Sequence, residues 1–109
     1  MYIMIIILND EHLIKKILSL LMEFELHDST VLDGESIENI AAKKIPLFSD
    51  FNNLFGKESV YNKTIISHVP NNSTIERFVK LCKQEGIDFT EPDVGCLMSI
   101  PCNYFIGEK

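Results

Sequence analysis

Tyr2-Ile3-Met4-Ile5-Ile6-Ile7-Leu8 is apolar at every position and rich in β-branched residues. A strand with one wet face alternates polar and apolar residues, whereas a strand covered on both faces need not. The run is far shorter than the roughly 20 residues of a membrane helix, so it predicts a strand covered on both sides. Asn9-Asp10-Glu11 follows as a helix start. Asn9 or Asp10 serves as cap, and Asp10 and Glu11 place negative charge near the positive helix end. Leu13, Ile14, Ile17, Leu18, Leu21 and Phe24 then recur at helical spacing.

Further along, Ser29 to Leu32 reads as a short second strand that runs into Asp33-Gly34-Glu35-Ser36, a turn signal. The next strand is Tyr61 to Val69. Residues 37–60 lie between them with no strand pattern, and so long a connection in a compact domain is usually functional. Phe48, Phe51, Leu54 and Phe55 sit there at three- and four-residue spacing, a short amphipathic helix ended by Gly56. After the turn Pro70-Asn71-Asn72, Ser73 and Glu76 have the spacing of a capping box. Ile75, Phe78, Val79 and Cys82 form the stripe of that helix, and Gly86 sits where a left-handed C-terminal residue is expected. Thr90 to Gly95 is a polar, acidic turn, and Cys96 to Ile100 is the last strand, followed by Pro101.

The expected fold class is α+β: a ferredoxin-like split βαββαβ antiparallel sheet, both helices on one face, with a long loop between strands 2 and 3. Residues 1–109 make one domain. Helices on one face leave the other face of an all-apolar first strand open, so that face is expected to be covered by further subunits of a homo-oligomer.

Sixteen acids against ten bases leave a net charge of −6, and the only arginine is Arg77. Binding to nucleic acid needs clustered positive charge, so this balance argues against it. With no apolar run long enough to span a bilayer and no basic region before the first strand, the chain is expected to be cytoplasmic and not membrane-embedded. Cys82, Cys96 and Cys102 show no Cys-x-x-Cys spacing, and His12, His27 and His68 are scattered, so neither a disulfide framework nor a histidine metal site is expected. No nucleophile elbow, phosphate-binding Gly-x-x-x-x-Gly-Lys or His-Glu-x-x-His is present, and the chain is read as a binding protein without catalytic residues.

Asp93-Val94-Gly95-Cys96-Leu97-Met98-Ser99-Ile100-Pro101-Cys102 resembles the Gly-x-Gly-Lys-hydrophobic-strand-Pro signature of the PII nitrogen-regulatory family. At residue level the resemblance covers about Glu91 to Pro101; in strand order and in the long loop after the second strand it extends over nearly the whole chain. It implies a PII-like signalling protein, a trimer that binds a nucleotide or metabolite in clefts between subunits. It also implies that residues 37–60 correspond to the T-loop that engages a protein target. The family's basic phosphate contact falls at Cys96, and Glu91 and Asp93 add negative charge, so a less charged nucleotide, a small metabolite or a cation is expected in place of a triphosphate.

On that resemblance Asp33, Gly34, Glu35, Glu91, Asp93, Gly95 and Cys96 line the effector cleft, and Phe48, Phe51 and Phe55 make the loop's partner contacts. The residues alone fit solvated turns, and an aromatic stripe packed on its own assembly, better than they fit a site. The alternative is a divalent-metal-binding trimer of the CutA type, which shares the architecture and would use the clustered acids. No resident cofactor can be named from the sequence.

Overall fold

In the computed structural model, residues 1–44 and 61–107 are described. They form an α+β fold with a four-stranded antiparallel sheet, consistent with the ferredoxin-like kind of fold. Strand β1 spans Tyr2–Leu8. A short 3-10 turn, Glu11–Leu13, leads into α1, Ile14–Glu23. Strand β2 spans Thr30–Glu35 and is followed by α2, Ile37–Lys44. Strand β3 is Tyr61–Val69, α3 is Asn72–Gln84 and β4 is Gly95–Pro101.

The strand order is β2-β3-β1-β4, and every neighbouring pair is antiparallel. The continuous apolar run therefore sits in the interior of the sheet, between β3 and β4. Side chains alternate across a sheet, which divides β1 into two sets. Met4, Ile6 and Leu8 are fully buried in a core shared with Ile17, Leu20 and Leu21 of α1 and Ile75, Phe78 and Cys82 of α3. Phe24 meets Phe78 edge to face, with ring centroids 5.3 Å apart. Burial pushes the Cys82 thiol up to about 12, so it stays neutral as a small apolar group.

Ile3, Ile5 and Ile7 point the other way and are half-buried. In register with them lie Ile66 on one side and Met98 and Ile100 on the other, all exposed. Part of this second face is covered from within the chain. The Cys102 amide donates to the Met1 carbonyl at 3.0 Å, and Phe105 packs edge to face on His68 at 4.6 Å between ring centroids.

Several local expectations are corrected. Asn71, not Ser73, caps α3: its side chain accepts from the Thr74 amide at 2.9 Å, and Ser73 donates to the same oxygen from inside the helix. Pro70 ends β3's extension, so the first cap-type residue after it takes the role. In α1, Leu20 is buried and Leu18 is exposed, because Ile17, Leu20, Leu21 and Phe24 complete the i, i+3, i+4, i+7 stripe. Asp33, Gly34 and Glu35 are not a turn but the end of β2, paired with Lys63, Asn62 and Tyr61. Residues 37–44, the start of the long connection, form α2. Pro101 lies within β4, which is an edge strand where proline is tolerated. Asp10 caps the first helical turn, accepting from the His12 amide, and Gly86 has the expected positive φ.

Candidate functional site

The expected cleft residues fall into two clusters. The first is the turn before β4. Asp88 accepts from both the backbone amide and the hydroxyl of Thr90, at 2.9 and 2.6 Å, and these bonds hold its carboxyl below the usual carboxylate range. The chain then passes through Glu91 and Asp93, both exposed, the latter in the left-handed region at φ 68°. The Asn9 amide donates to the Val94 carbonyl at 3.0 Å and fastens this turn to the end of β1. Gly95 is required where it stands: its φ is 137°, and a Cβ there would lie 2.0 Å from the Ile7 carbonyl oxygen. Cys96 opens β4 on the open face of the sheet, exposed and level with Ile7.

The second cluster is the end of β2. Asp33 forms an ion pair with Lys63 across the ladder, and that hydrogen bond raises the lysine's pKa. Gly34 faces Asn62 so closely that a Cβ would meet its side-chain oxygen, so this rung accepts no larger residue unless Asn62 moves. Glu35 accepts from the Asn39 side-chain amide at 2.5 Å. Ser36 caps α2, its hydroxyl accepting from the Asn39 amide at 3.1 Å and its carbonyl from the Ile40 amide.

The register relates the clusters to each other. Asp33 opposes Lys63, Lys63 opposes Leu8, and Leu8 opposes Gly95. All four share one row at the same end of the sheet. Asp33 and Gly95, however, are on opposite edges, three strand spacings or roughly 14 Å apart. Glu91, Asp93, Gly95 and Cys96 are thus brought together, as are Asp33, Gly34 and Glu35, but one domain does not join the two groups.

Phe48, Phe51 and Phe55 lie outside the described residues. Among the described residues no three His, Cys, Asp or Glu side chains converge as metal ligands, and no helix is long and apolar enough to cross a membrane. Two open grooves lie elsewhere. One of about 470 Å³ surrounds Arg77, whose guanidinium stands 5.9 Å above the Phe24 ring. The other, of about 580 Å³, lies beside Lys16, whose ammonium donates to the Glu85 carbonyl at the end of α3. No expected cleft residue lines either groove.

Two residues at the β2 end, Lys63 and Asn39, were not foreseen, and neither was the capping role of Ser36. The spacing Ser36-x-x-Asn39 before a helix was the available signal, a serine three residues ahead of the amide it caps. No known family model matches the chain, and the search of curated proteins found no match.

Proposed function

We propose that this chain is a PII-like signal-transduction protein. It is a cytoplasmic homotrimer of ferredoxin-like domains that binds a small effector, a nucleotide or a metabolite, in the clefts between subunits. Residues 37–60 carry the signal to a protein target. The effector acts by its different affinity for two states of that segment, which is the only way a ligand shifts such an equilibrium.

The observation that carries this reading is the placement of the two clusters at one end of the sheet but on opposite edges. Assembly through the apolar second face brings one subunit's Glu91–Cys96 turn toward the next subunit's Asp33–Glu35 strand, and the cleft is completed there. The resemblance around Glu91 to Pro101 supports the same arrangement.

The test is a thermal-shift panel with sedimentation analysis of the same samples: adenine nucleotides, bicarbonate, 2-oxoglutarate and divalent metals. A ligand at about 100 times its dissociation constant adds about 2.7 kcal/mol to the folded state. A shift with one nucleotide or metabolite on a trimeric species is the expected result, and replacing both Glu91 and Asp93 by alanine abolishes it without dissociating the trimer. Wild-type affinity in that double variant removes the proposed cleft. A shift with metals alone turns the reading to the metal-binding alternative, and a monomer at all concentrations overturns the assembly.

A further inference from the structure

Helices α1 and α3 end in the same motif with different residues at its critical position. After α1, the Leu26 amide donates to the Leu21 carbonyl and the Glu25 amide to the Met22 carbonyl. After α3, the Ile87 amide donates to the Cys82 carbonyl and the Gly86 amide to the Lys83 carbonyl. Both motifs need a left-handed residue, a place usually taken by glycine because a Cβ is strained there. Gly86 follows that rule at φ 89°, whereas Glu25 holds a full side chain at φ 61°. Glu25 lines the open groove of about 470 Å³ that also contains Arg77. That volume is within the range of small-molecule sites.

The charges in this groove are not spent on one another. Arg77 is the only arginine in the chain, and it is exposed. Its guanidinium stands 5.9 Å above the Phe24 ring and makes one long hydrogen bond, 3.4 Å, to the Thr74 hydroxyl. Among the described residues no carboxylate is paired with it. Most of its donor fork, suited to a carboxylate, faces the groove unused. Glu23 and Glu25 line the same groove, and Phe24 and Leu81 give it half-buried apolar surface. A plain carboxylate would meet two acids for one arginine, and a plain amine would leave the arginine idle. A molecule carrying both charges beside an apolar group satisfies all three walls.

We propose that this groove binds a free α-amino acid with an apolar side chain: its carboxylate on Arg77, its ammonium on Glu25 and Glu23, its side chain on Phe24 and Leu81. The site is separate from the effector cleft. Pro70, which also lines it, follows Val69, and Val69 pairs with Tyr2 at the end of the sheet opposite the Lys63, Leu8 and Gly95 row. Its failure would leave the effector reading standing.

Calorimetry on the full chain tests the site with L-leucine and L-phenylalanine, each against its deaminated and decarboxylated analogue: 4-methylpentanoate and 3-methylbutylamine, 3-phenylpropanoate and phenethylamine. The amino acid that binds is expected to do so at least about tenfold more tightly than either analogue, the worth of one charge-assisted hydrogen bond. Arg77→Gln is expected to lower its affinity by a similar factor. Glu25→Gly should move two readouts in opposite directions. The unliganded melting midpoint rises as the left-handed strain is relieved, and amino-acid affinity falls about tenfold, toward that of the deaminated analogue. A lowered midpoint with unchanged affinity makes Glu25 a residue of the fold alone and overturns the site. Equal affinity for an amino acid and either of its analogues overturns the assignment, as does binding that survives Arg77→Gln. No binding of either amino acid at millimolar concentration overturns the groove as a site.

Discussion

On the helix side of β1, Met4, Ile6 and Leu8 have no exposure and are locked among α1 and α3. On the other side, Ile3, Ile5 and Ile7 are half-buried, and their neighbours Ile66, Met98 and Ile100 are 36%, 42% and 50% exposed. The same strand supplies both sets, and their side chains are chemically alike. The difference lies in what the rest of the chain brings to each face. Two amphipathic helices close the first, while the second receives the tail through Phe105 on His68. An apolar strip left open in one copy is the physical case for assembly, because burying it stabilises at about 25 cal/mol per Å².

Matched lesions on the two faces break or confirm that contrast. Ile6→Ala should cost about 2–5 kcal/mol, the usual loss for truncating a packed core side chain, at every protein concentration. Ile5→Ala, one residue away, should cost much less in a monomer but should show a concentration-dependent melt if copies pack on it. Denaturant titration at two concentrations separates these outcomes, and equal, concentration-independent losses would mean that the faces do not differ. The next effect in size is on assembly. Ile100→Glu places a charge on the edge-strand side of the open strip, at a half-exposed position, and burying an unpaired polar group costs at least about 2 kcal/mol, or roughly thirtyfold in the association constant. The expected result is a folded monomer by sedimentation with a nearly unchanged circular-dichroism spectrum. An unaltered oligomer would place the interface elsewhere.

The faces were legible in the sequence to unequal degrees. The run from Tyr2 to Leu8 marked a strand in the interior of the sheet, and the helical stripes marked what covers one of its faces; cover over the other belongs to the proposed assembly. The errors came where local signals competed. Asn71 and Ser73 are both good caps, and the structure chose the one adjoining Pro70. Asp33-Gly34-Glu35 has turn composition, yet Lys63, Asn62 and Tyr61 continue the ladder past Leu32 and hold it as an edge strand. Pairing partners distant in sequence settled that contest, and no local pattern records them. The candidate site was harder to read. The turn from Glu91 to Gly95 was visible through its acids and glycine, whereas Asn39 was hidden in a segment of weak periodicity, and only its burial beside Glu35 distinguishes it.

The smallest effect sharpens the comparison by touching one face alone. Asn71 caps α3, its side-chain oxygen accepting from the Thr74 amide, the Thr74 hydroxyl and the Ser73 hydroxyl. Replacing it with alanine removes the cap and should cost about 1 kcal/mol. That helix contributes Ile75, Phe78 and Cys82 to the covered face and no residue to the row of Ile5, Ile66 and Met98. Asn71→Ala should therefore lower the melting midpoint by roughly 4–8 °C if the domain melts as a unit of its own size. The association constant measured by sedimentation below that midpoint should stay at the wild-type value. A weakened association constant in this variant would mean that packing on the helix side sets the geometry of the open side, and the two faces could no longer be treated as separate.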